Sequence, residues 1–189
     1  MHLKKKAKPA IFLDRDGVLT KEKSYIRSTN ELEIFPYSKS CIEKIHTYGY
    51  YAIVVSNQSG IARGYFTEET LLSMNQYLIQ ETGVDAVYYC PHHQKGVIQG
   101  YAFNCNCRKP AIGMLEKACS DFQITMNGSY VVGDRACDIR LGENANLKTV
   151  LLDSGYGVAR LEEIVVPDYT LKDLRDFIKI LERKEGNSI

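Results

Sequence analysis

The sequence has no apolar run long enough to cross a membrane, no marked excess of charge of either sign and no internal repeat. A membrane-spanning helix needs about 20 mostly apolar residues, so we expect no membrane partner. The 24 basic and 23 acidic residues give a net charge of +1 and are scattered along the chain, which leaves no broad basic surface for nucleic acid. Small-molecule chemistry fits these limits best.

The amino end is basic, like the start of a signal peptide, but the apolar region that export requires does not follow it. Only residues 10–13 are apolar before Asp14 interrupts them. We therefore expect a cytoplasmic protein. Its 189 residues are 44% hydrophobic and show no shift in composition, which predicts one domain over residues 1–189. We expect this domain to be a monomer.

Short apolar segments alternate with helical patterns, which is typical of an α/β fold. The predicted strands are residues 10–13, 51–56, 86–89, 130–132 and 149–152. The predicted helices are residues 36–48, a helix capped by Thr67 and stopped by Gly83, residues 112–122, a short helix after Asp138, and residues 171–183, with a frayed tail at 184–189. We expect a three-layer sandwich with a mostly parallel, Rossmann-like sheet, no large cap domain, and ligands at the carboxyl ends of the strands.

Asp14 and Asp16 close the first predicted strand in an Asp-x-Asp-Gly segment. At the rim of a sheet, one carboxylate can attack phosphorus while the other passes a proton to the leaving oxygen, provided that Mg²⁺ offsets the negative charge. The same four residues also suit a simple polar turn.

Three later segments place polar residues at similar positions. Ser56 ends the second strand in a hydroxyl and amide cluster, which suits either phosphate oxygens or an ordinary turn. Lys109 precedes a helix and is either a phosphoryl ligand or a solvated lysine. Asp134 ends the fourth strand and would complete a hard oxygen site for Mg²⁺, while Asp138 is most simply a helix cap.

The order of these motifs resembles the four-motif signature of the haloacid dehalogenase (HAD) superfamily of phosphatases. The resemblance implies that Asp14 is the nucleophile, which forms an aspartyl-phosphate, and that Asp16 is the general acid and then base. It also implies that Ser56 and Lys109 position the phosphoryl group. Mg²⁺ would be bound by Asp14, the backbone carbonyl of Asp16 and Asp134, with Asp138 supporting them from behind.

A second cluster combines three cysteines with a histidine. Cys90, His92, Cys105 and Cys107 offer three thiolates and an imidazole, which suit tetrahedral Zn²⁺ in a closed structural site. His93 is an alternative to His92, and free thiols or a disulfide are alternatives to the metal. An intracellular setting disfavours the disulfide.

The segments at residues 57–68, 89–93 and 105–110 make the resemblance narrower, to the D-glycero-D-manno-heptose-1,7-bisphosphate 7-phosphatase family. That family implies a sugar bisphosphate substrate and a role in lipopolysaccharide and surface-glycan precursor synthesis. The histidinol-phosphate phosphatases are near relatives, and a non-catalytic, zinc-stabilised binding module is an alternative of another class. Ser56 and Val18 stand where the family commonly has threonine. The substrate-binding residues implied are Glu22, Lys23, Ser24, Tyr25, Ser56, Asn57, Gln58, Ser59, Arg108, Lys109 and Arg135.

Overall fold

The structure, a computed structural model, describes residues 7–155 and 163–186. Within these ranges the strands are β1 (Ala10–Leu13), β2 (Tyr51–Asn57), β3 (Ala86–Cys90), β4 (Tyr130–Gly133), β5 (Lys148–Leu152) and β6 (Tyr169–Leu171). The helices are α1 (Ser38–Thr47), α2 (Glu68–Thr82), α3 (Gly113–Asp121), α4 (Ala136–Asn144) and α5 (Leu174–Gly186). Two 3₁₀ turns, Thr29–Glu31 and Gln99–Tyr101, lie in the loops that follow β1 and β3.

The strands form one parallel sheet in the order β3-β2-β1-β4-β5-β6. The strand order reverses between β1 and β4, so the loops that follow these two strands diverge and leave a crevice at the carboxyl edge of the sheet. Every residue of β1 is fully buried, as expected for the central strand of a parallel sheet. The three-layer, mostly parallel prediction is confirmed.

Helices cover both faces of the sheet and form two separate cores. Helices α1, α2 and α5 pack on one face, where Ile42, Leu71 and Phe177 are buried. Helices α3 and α4 cover the other face, where Leu115 and Leu141 are buried. No helix among the described residues is both long and apolar enough to span a bilayer.

The predicted ends of α2 have the expected local causes. The Thr67 side chain accepts a hydrogen bond from the backbone N–H of Thr70 at 3.1 Å, which satisfies one of the first N–H groups of the helix. Gly83 ends the helix in the left-handed region, with φ of 80°. Of the apolar residues that the sequence places on this helix, Leu71 and Leu78 are buried, whereas Leu72 and Ile79 are exposed.

Three predicted boundaries are wrong. Residues 169–171 form β6, so the last helix begins at Leu174 rather than at residue 171, and it continues to residue 186 through part of the expected tail. Residues 187–189 lie outside the described residues. Helix α4 begins at Ala136, before Asp138, and the Asp138 side chain accepts a hydrogen bond from the backbone N–H of Arg135 at 3.1 Å. Asp138 is therefore the third residue of the helix, and its carboxylate caps the N–H of Arg135.

Candidate active site

The ends of β1, β2 and β4 open into a cavity of about 700 Å³ at the switch in strand order. A cavity of this size is sufficient for a phosphorylated sugar. Most of the residues that the sequence predicts for the site line it. They are Asp14, Asp16, Glu22, Ser24, Tyr25, Ser56, Asn57, Gln58, Ser59, Arg108, Lys109 and Arg135.

Lys109 lies at the base of this cavity between two carboxylates. Its Nζ is 3.0 Å from Asp14 Oδ1 and 2.6 Å from Asp138 Oδ1, and it donates a hydrogen bond of 2.8 Å to the carbonyl oxygen of Val55. Burial alone would lower the pKa of Lys109, but the charges of Asp138 and Asp14 outweigh it and raise that pKa. Lys109 is therefore a fixed cation beside Asp14 and not a solvated surface lysine.

Three buried carboxylates converge at this point. Asp14, Asp134 and Asp138 each offer an oxygen, and these oxygens lie within 4.8 Å of one another. Burial raises the pKa of Asp138 to about 6, against the opposing charge of Lys109. Three carboxylates facing one ammonium leave an excess of negative charge, and an all-oxygen donor set suits a hard cation such as Mg²⁺.

Glycine allows the backbone to approach this cluster. A Cβ added at Gly17 would lie 2.3 Å from Asp134 Oδ2, and one added at Gly155 would lie 2.0 Å from it. Gly17 also has a φ of +82°, which favours glycine. The turn after β1 thus closes directly onto the Asp134 carboxylate.

Asp16 is held by its neighbour in the chain. Arg15 is almost fully buried and donates from Nε and Nη2 to the two oxygens of Asp16 at 3.0 and 2.8 Å. Thr20 Oγ1 and Gln58 Nε2 add hydrogen bonds of 3.0 and 3.1 Å. Burial would raise the pKa of Asp16, but the charge and hydrogen bonds of Arg15 outweigh it and lower that pKa. The carboxylate is therefore ionised and fixed in direction.

The residues after β2 connect this carboxylate to the rest of the site. Gln58 Nε2 also donates to Ser56 Oγ at 2.9 Å, so one amide bridges the predicted phosphate ligand and Asp16. Asn57 exchanges two hydrogen bonds with the backbone of Lys109, at 3.0 and 3.3 Å. The loop that follows β2 and the loop that precedes α3 are therefore hydrogen-bonded to each other at the cavity.

The loop after β1 forms another wall. Glu22 lies 3.5 Å from Arg135 Nη2, and burial raises the pKa of Glu22. Ser24 and Tyr25 line the cavity beside it. Lys23 does not line it, because its ammonium pairs with Glu33 outside. Contact of Lys23 with the ligand stays a prediction.

The cysteine cluster is assembled next to the cavity. Cys105 Sγ lies 3.4 Å from Cys90 Sγ and 3.1 Å from Cys107 Sγ, and His92 Nδ1 lies 3.3 Å from Cys107 Sγ. A disulfide requires an S–S distance of about 2.05 Å, and all six cysteines are free thiols. Ligands about 2.3 Å from a tetrahedral zinc would be about 3.8 Å apart, so these four atoms are close to the spacing that Zn²⁺ needs.

Glu68, the first residue of α2, supports the loop that carries this cluster. Its two carboxylate oxygens accept hydrogen bonds of 2.7 Å from the hydroxyls of Tyr89 and Tyr101. Those hydrogen bonds, Tyr101's first, lower the pKa of Glu68. The Tyr101 ring centroid lies 6.1 Å from that of His92. Glu68 therefore holds a tyrosine that lies next to one of the proposed zinc ligands.

Four residues with a part in this site were not predicted from the sequence: Arg15, Thr20, Arg63 and Glu68. Arg15 and Thr20 both bind Asp16, and Arg63 lines the cavity. The role of Arg15 could have been predicted, because an arginine at the end of a buried strand needs a carboxylate partner and has an aspartate on each side in the sequence. The roles of Arg63 and Glu68 could not, because both look like ordinary solvated charges in a loop and a first helical turn.

Comparisons with known proteins agree with this geometry. A family model described as HAD-hydrolase-like matches residues 106–177. The D-glycero-beta-D-manno-heptose-1,7-bisphosphate 7-phosphatase of Pasteurella multocida is 36% identical over 181 residues, which cover 93% of this chain and 97% of that protein. The corresponding alpha-anomer enzyme of Photorhabdus laumondii is 38% identical over 149 residues, which cover 75% of this chain and 80% of that protein.

A solved structure matches over nearly the same length. The D,D-heptose 1,7-bisphosphate phosphatase from B. bronchiseptica, complexed with magnesium and phosphate, has a TM-score of 0.78 and 29% identity. The match covers 93% of this chain and 99% of that one. Sequence and structure therefore point to the same group of relatives.

Proposed function

The chain belongs to the D-glycero-D-manno-heptose-1,7-bisphosphate 7-phosphatase family of HAD-type phosphatases, and from this premise we propose that it hydrolyses the 7-phosphate of a D-glycero-D-manno-heptose 1,7-bisphosphate. The observation that carries the proposal is the convergence of Asp14, Asp134 and Asp138 around Lys109 at one end of the cavity. This arrangement supplies a nucleophile, a cation and a hard-metal site within one small volume.

In the first step the Asp14 carboxylate attacks the phosphorus of the 7-phosphate. Asp16 is ionised in the unliganded site, and it takes up a proton when the negatively charged phosphate binds beside it. The P–O bond to the sugar then breaks and Asp16 gives this proton to the leaving oxygen, so that the products are an aspartyl-phosphate and the sugar 1-phosphate. Lys109 balances the charge on the phosphoryl oxygens, and the Ser56 hydroxyl orients them.

In the second step Asp16, now ionised, accepts a proton from water, which attacks the phosphorus of the aspartyl-phosphate. Inorganic phosphate leaves and Asp14 is regenerated. The fork of Arg15 and the amide of Gln58 hold Asp16 in one direction, which suits a group that serves both steps.

The donor set suits Mg²⁺, which would be held by Asp14, Asp134 and the backbone carbonyl of Asp16, with Asp138 behind them. When bound, it supplies positive charge that stabilises the transferring phosphoryl group. The magnesium and phosphate in the B. bronchiseptica relative support this assignment.

Zn²⁺ would be held by Cys90, His92, Cys105 and Cys107 in a closed structural site. The support is the mutual spacing of the four ligand atoms and the carboxylate of Glu68 behind the loop. Four protein ligands leave no open coordination position, so a bound zinc would order the loop that carries His93 and Arg108 at the cavity and would take no part in the chemistry.

A phosphate-release assay tests the proposed function. The α and β anomers of heptose 1,7-bisphosphate, fructose 1,6-bisphosphate and histidinol phosphate are compared at one Mg²⁺ concentration. We expect the highest kcat/KM on a heptose bisphosphate, with the 1-phosphate retained in the product by ³¹P NMR. Preference for histidinol phosphate would overturn the assignment, and absence of turnover on all four would favour a binding module.

A further inference from the structure

We propose that Arg63 and His93 form, together with Arg108, the seat of the phosphate that is not cleaved, and that they determine the preference for a bisphosphate. This inference rests on the proposed function. All three side chains line the same cavity as Asp14 and Lys109. Arg63 and His93 play no part in the chemical steps described above.

The first observation is the direction of the His93 ring. Its Nδ1 accepts a hydrogen bond of 3.0 Å from the backbone N–H of Lys95. A ring whose Nδ1 accepts carries its proton on Nε2, so Nε2 is a donor. Arg63 Nη2 lies 3.4 Å from that same Nε2. An arginine has no acceptor, so the two groups cannot hydrogen-bond to each other, and both can donate to one acceptor in the cavity.

The second observation is that Arg63 has a donor left over. Its Nε is buried and has no hydrogen-bond partner. A buried donor without a partner is unfavourable, and a phosphate oxygen is an acceptor that would satisfy it.

The third observation is how the charged groups of the cavity are distributed. Arg15 pairs with Asp16, Arg135 with Glu22, and Lys109 with Asp14 and Asp138. Within residues 7–155 and 163–186, no carboxylate forms an ion pair with Arg63 or Arg108. At the Lys109 end of the cavity carboxylates outnumber the ammonium, which suits a phosphate bound together with a cation. Arg63 and Arg108 have no carboxylate partner among the described residues, so they suit a second phosphate that no metal neutralises.

Arg108 and Lys109 are consecutive in the chain, yet their side chains lie at the two different phosphate positions. Lys109 Nζ lies at Asp14, whereas Arg108 Nη1 donates to the carbonyl oxygen of His92 at 3.3 Å, beside His93. One phosphate thus faces the nucleophile and the other faces the loop that carries the cysteine cluster.

Backbone hydrogen bonds hold Arg63 and His93 in place. The carbonyl oxygen of Ala62 accepts from the N–H groups of Val97 and Ile98 at 2.7 and 3.0 Å, and Gly96 N–H donates to the His93 carbonyl at 2.8 Å. The turn that carries Arg63 and the loop that carries His93 are therefore joined before any ligand binds. A prearranged set of donors suits selective binding of a rigid dianion.

The test compares two substrates, heptose 1,7-bisphosphate and heptose 7-phosphate, in Arg63→Gln, Arg63→Lys and His93→Ala. For Arg63→Gln we expect kcat/KM to fall about 10- to 100-fold more on the bisphosphate than on the monophosphate, mainly through KM, because a charge-assisted hydrogen bond is lost. Arg63→Lys should recover part of the preference, since it keeps the charge and loses the fork. His93→Ala should cost about fivefold in the same ratio, as for a neutral hydrogen bond.

Arg27→Gln is the matched control. Arg27 lies over the Tyr65 ring at 5.0 Å, close to the cavity but outside its lining, so this variant makes the same change in net charge without removing a donor. We expect it to keep the wild-type ratio.

The outcomes separate this inference from the proposed function. Wild-type protein that does not release the 7-phosphate of heptose 1,7-bisphosphate would overturn the proposed function. Wild-type protein that hydrolyses both substrates equally well would overturn the phosphate seat alone. The same holds for a wild-type preference that survives Arg63→Gln, for equal losses on both substrates, and for the same loss in Arg27→Gln. The zinc content of each variant shows whether its loop is intact. If Arg63→Gln loses zinc, calorimetry compares the affinity of Asp14→Asn and of Asp14→Asn/Arg63→Lys for the bisphosphate. Equal affinity in these two variants would contradict the phosphate seat.

Discussion

The carboxylate of Asp14 is fixed between Lys109 Nζ, at 3.0 Å, and the backbone N–H of Arg15, at 2.7 Å. An amide in its place keeps the shape but cannot attack phosphorus. We expect Asp14→Asn to lower kcat by at least about a hundredfold, while the circular dichroism spectrum stays that of the wild type.

Asp176→Asn is the control, because Asp176 lies in α5, outside the cavity lining, and pairs with Lys179 at 2.8 Å. Turnover in Asp14→Asn above about a hundredth of the wild-type value would show that this residue is not the nucleophile.

The fork of Arg15 on Asp16 predicts a large effect on stability. Arg15 is almost fully buried, so Arg15→Met leaves the Asp16 charge without its main partner. We expect the free energy of unfolding to fall by about 3 kcal/mol, at the lower end for breaking a buried ion pair, because one fifth of the Asp16 side chain remains exposed.

Arg175 offers a control of the same geometry. It also forks onto an aspartate, Asp173, at 3.0 and 2.6 Å, but its side chain is 56% exposed. Arg175→Met should cost about 1 kcal/mol or less in urea unfolding. Similar losses in the two variants would mean that burial of Arg15 does not set the strength of its pair.

Position along the chain could predict only part of this set of residues. Asp14, Ser56 and Asp134 are polar groups at the ends of apolar strands, and parallel strands bring such ends together. Arg63 and His93 have no such pattern. Their proximity depends on backbone hydrogen bonds between two irregular loops, and loop geometry is not encoded in any hydrophobic period.

Among the elements, the loop of residues 91–107 carries three of the four residues of the cysteine cluster, His92, Cys105 and Cys107, and has one 3₁₀ turn as its regular structure. Cys107→Ser removes one of the four proposed ligands. We expect it to release zinc, to lower the melting temperature, and to raise KM more than it lowers kcat, because metal binding orders the loop and takes no part in the chemical step.

Cys119→Ser is the matched control, since Cys119 lies in α3 with its sulfur 3.6 Å from Met126 Sδ and belongs to no ligand set. Elemental analysis of protein purified without chelator measures occupancy. A zinc content of wild-type protein well below one per chain would contradict the proposed zinc site in this loop.

Elements with a strong hydrophobic period were predictable and those without it were not. Strand β6 is three residues long and none of them is buried, so it leaves no run of apolar residues to detect. Its existence follows from pairing with β5, where Leu152 faces Leu171. Helix α5 was found because Leu174, Phe177 and Leu181 recur on one buried face, yet its start was placed too early since Leu171 continues the apolar pattern.

The arrangement of the sheet and its helices predicts that the protein unfolds as one cooperative unit. Helices on both faces share a single sheet, and the two cores formed by the described residues lie on opposite faces of it. We therefore expect zinc-loaded protein to unfold in urea in one transition, with the same midpoint by far-ultraviolet circular dichroism and by tyrosine fluorescence. Two separate midpoints would contradict a single domain.

The central position of β1 also fixes the order in which the chain can acquire its site. Ile11 pairs with Ala52 on one side and with Tyr130 on the other, and Asp14 N–H donates to the carbonyl oxygen of Val132. Contacts so distant in sequence form slowly, because a long loop must close before they are made. On the ribosome, one edge of the strand that leads to Asp14 stays unpaired until β4 has emerged. A nascent chain that stops before residue 130 contains both aspartates of the first motif and Ser56, yet it lacks Asp134 and therefore has neither the complete set of proposed Mg²⁺ ligands nor a complete active site.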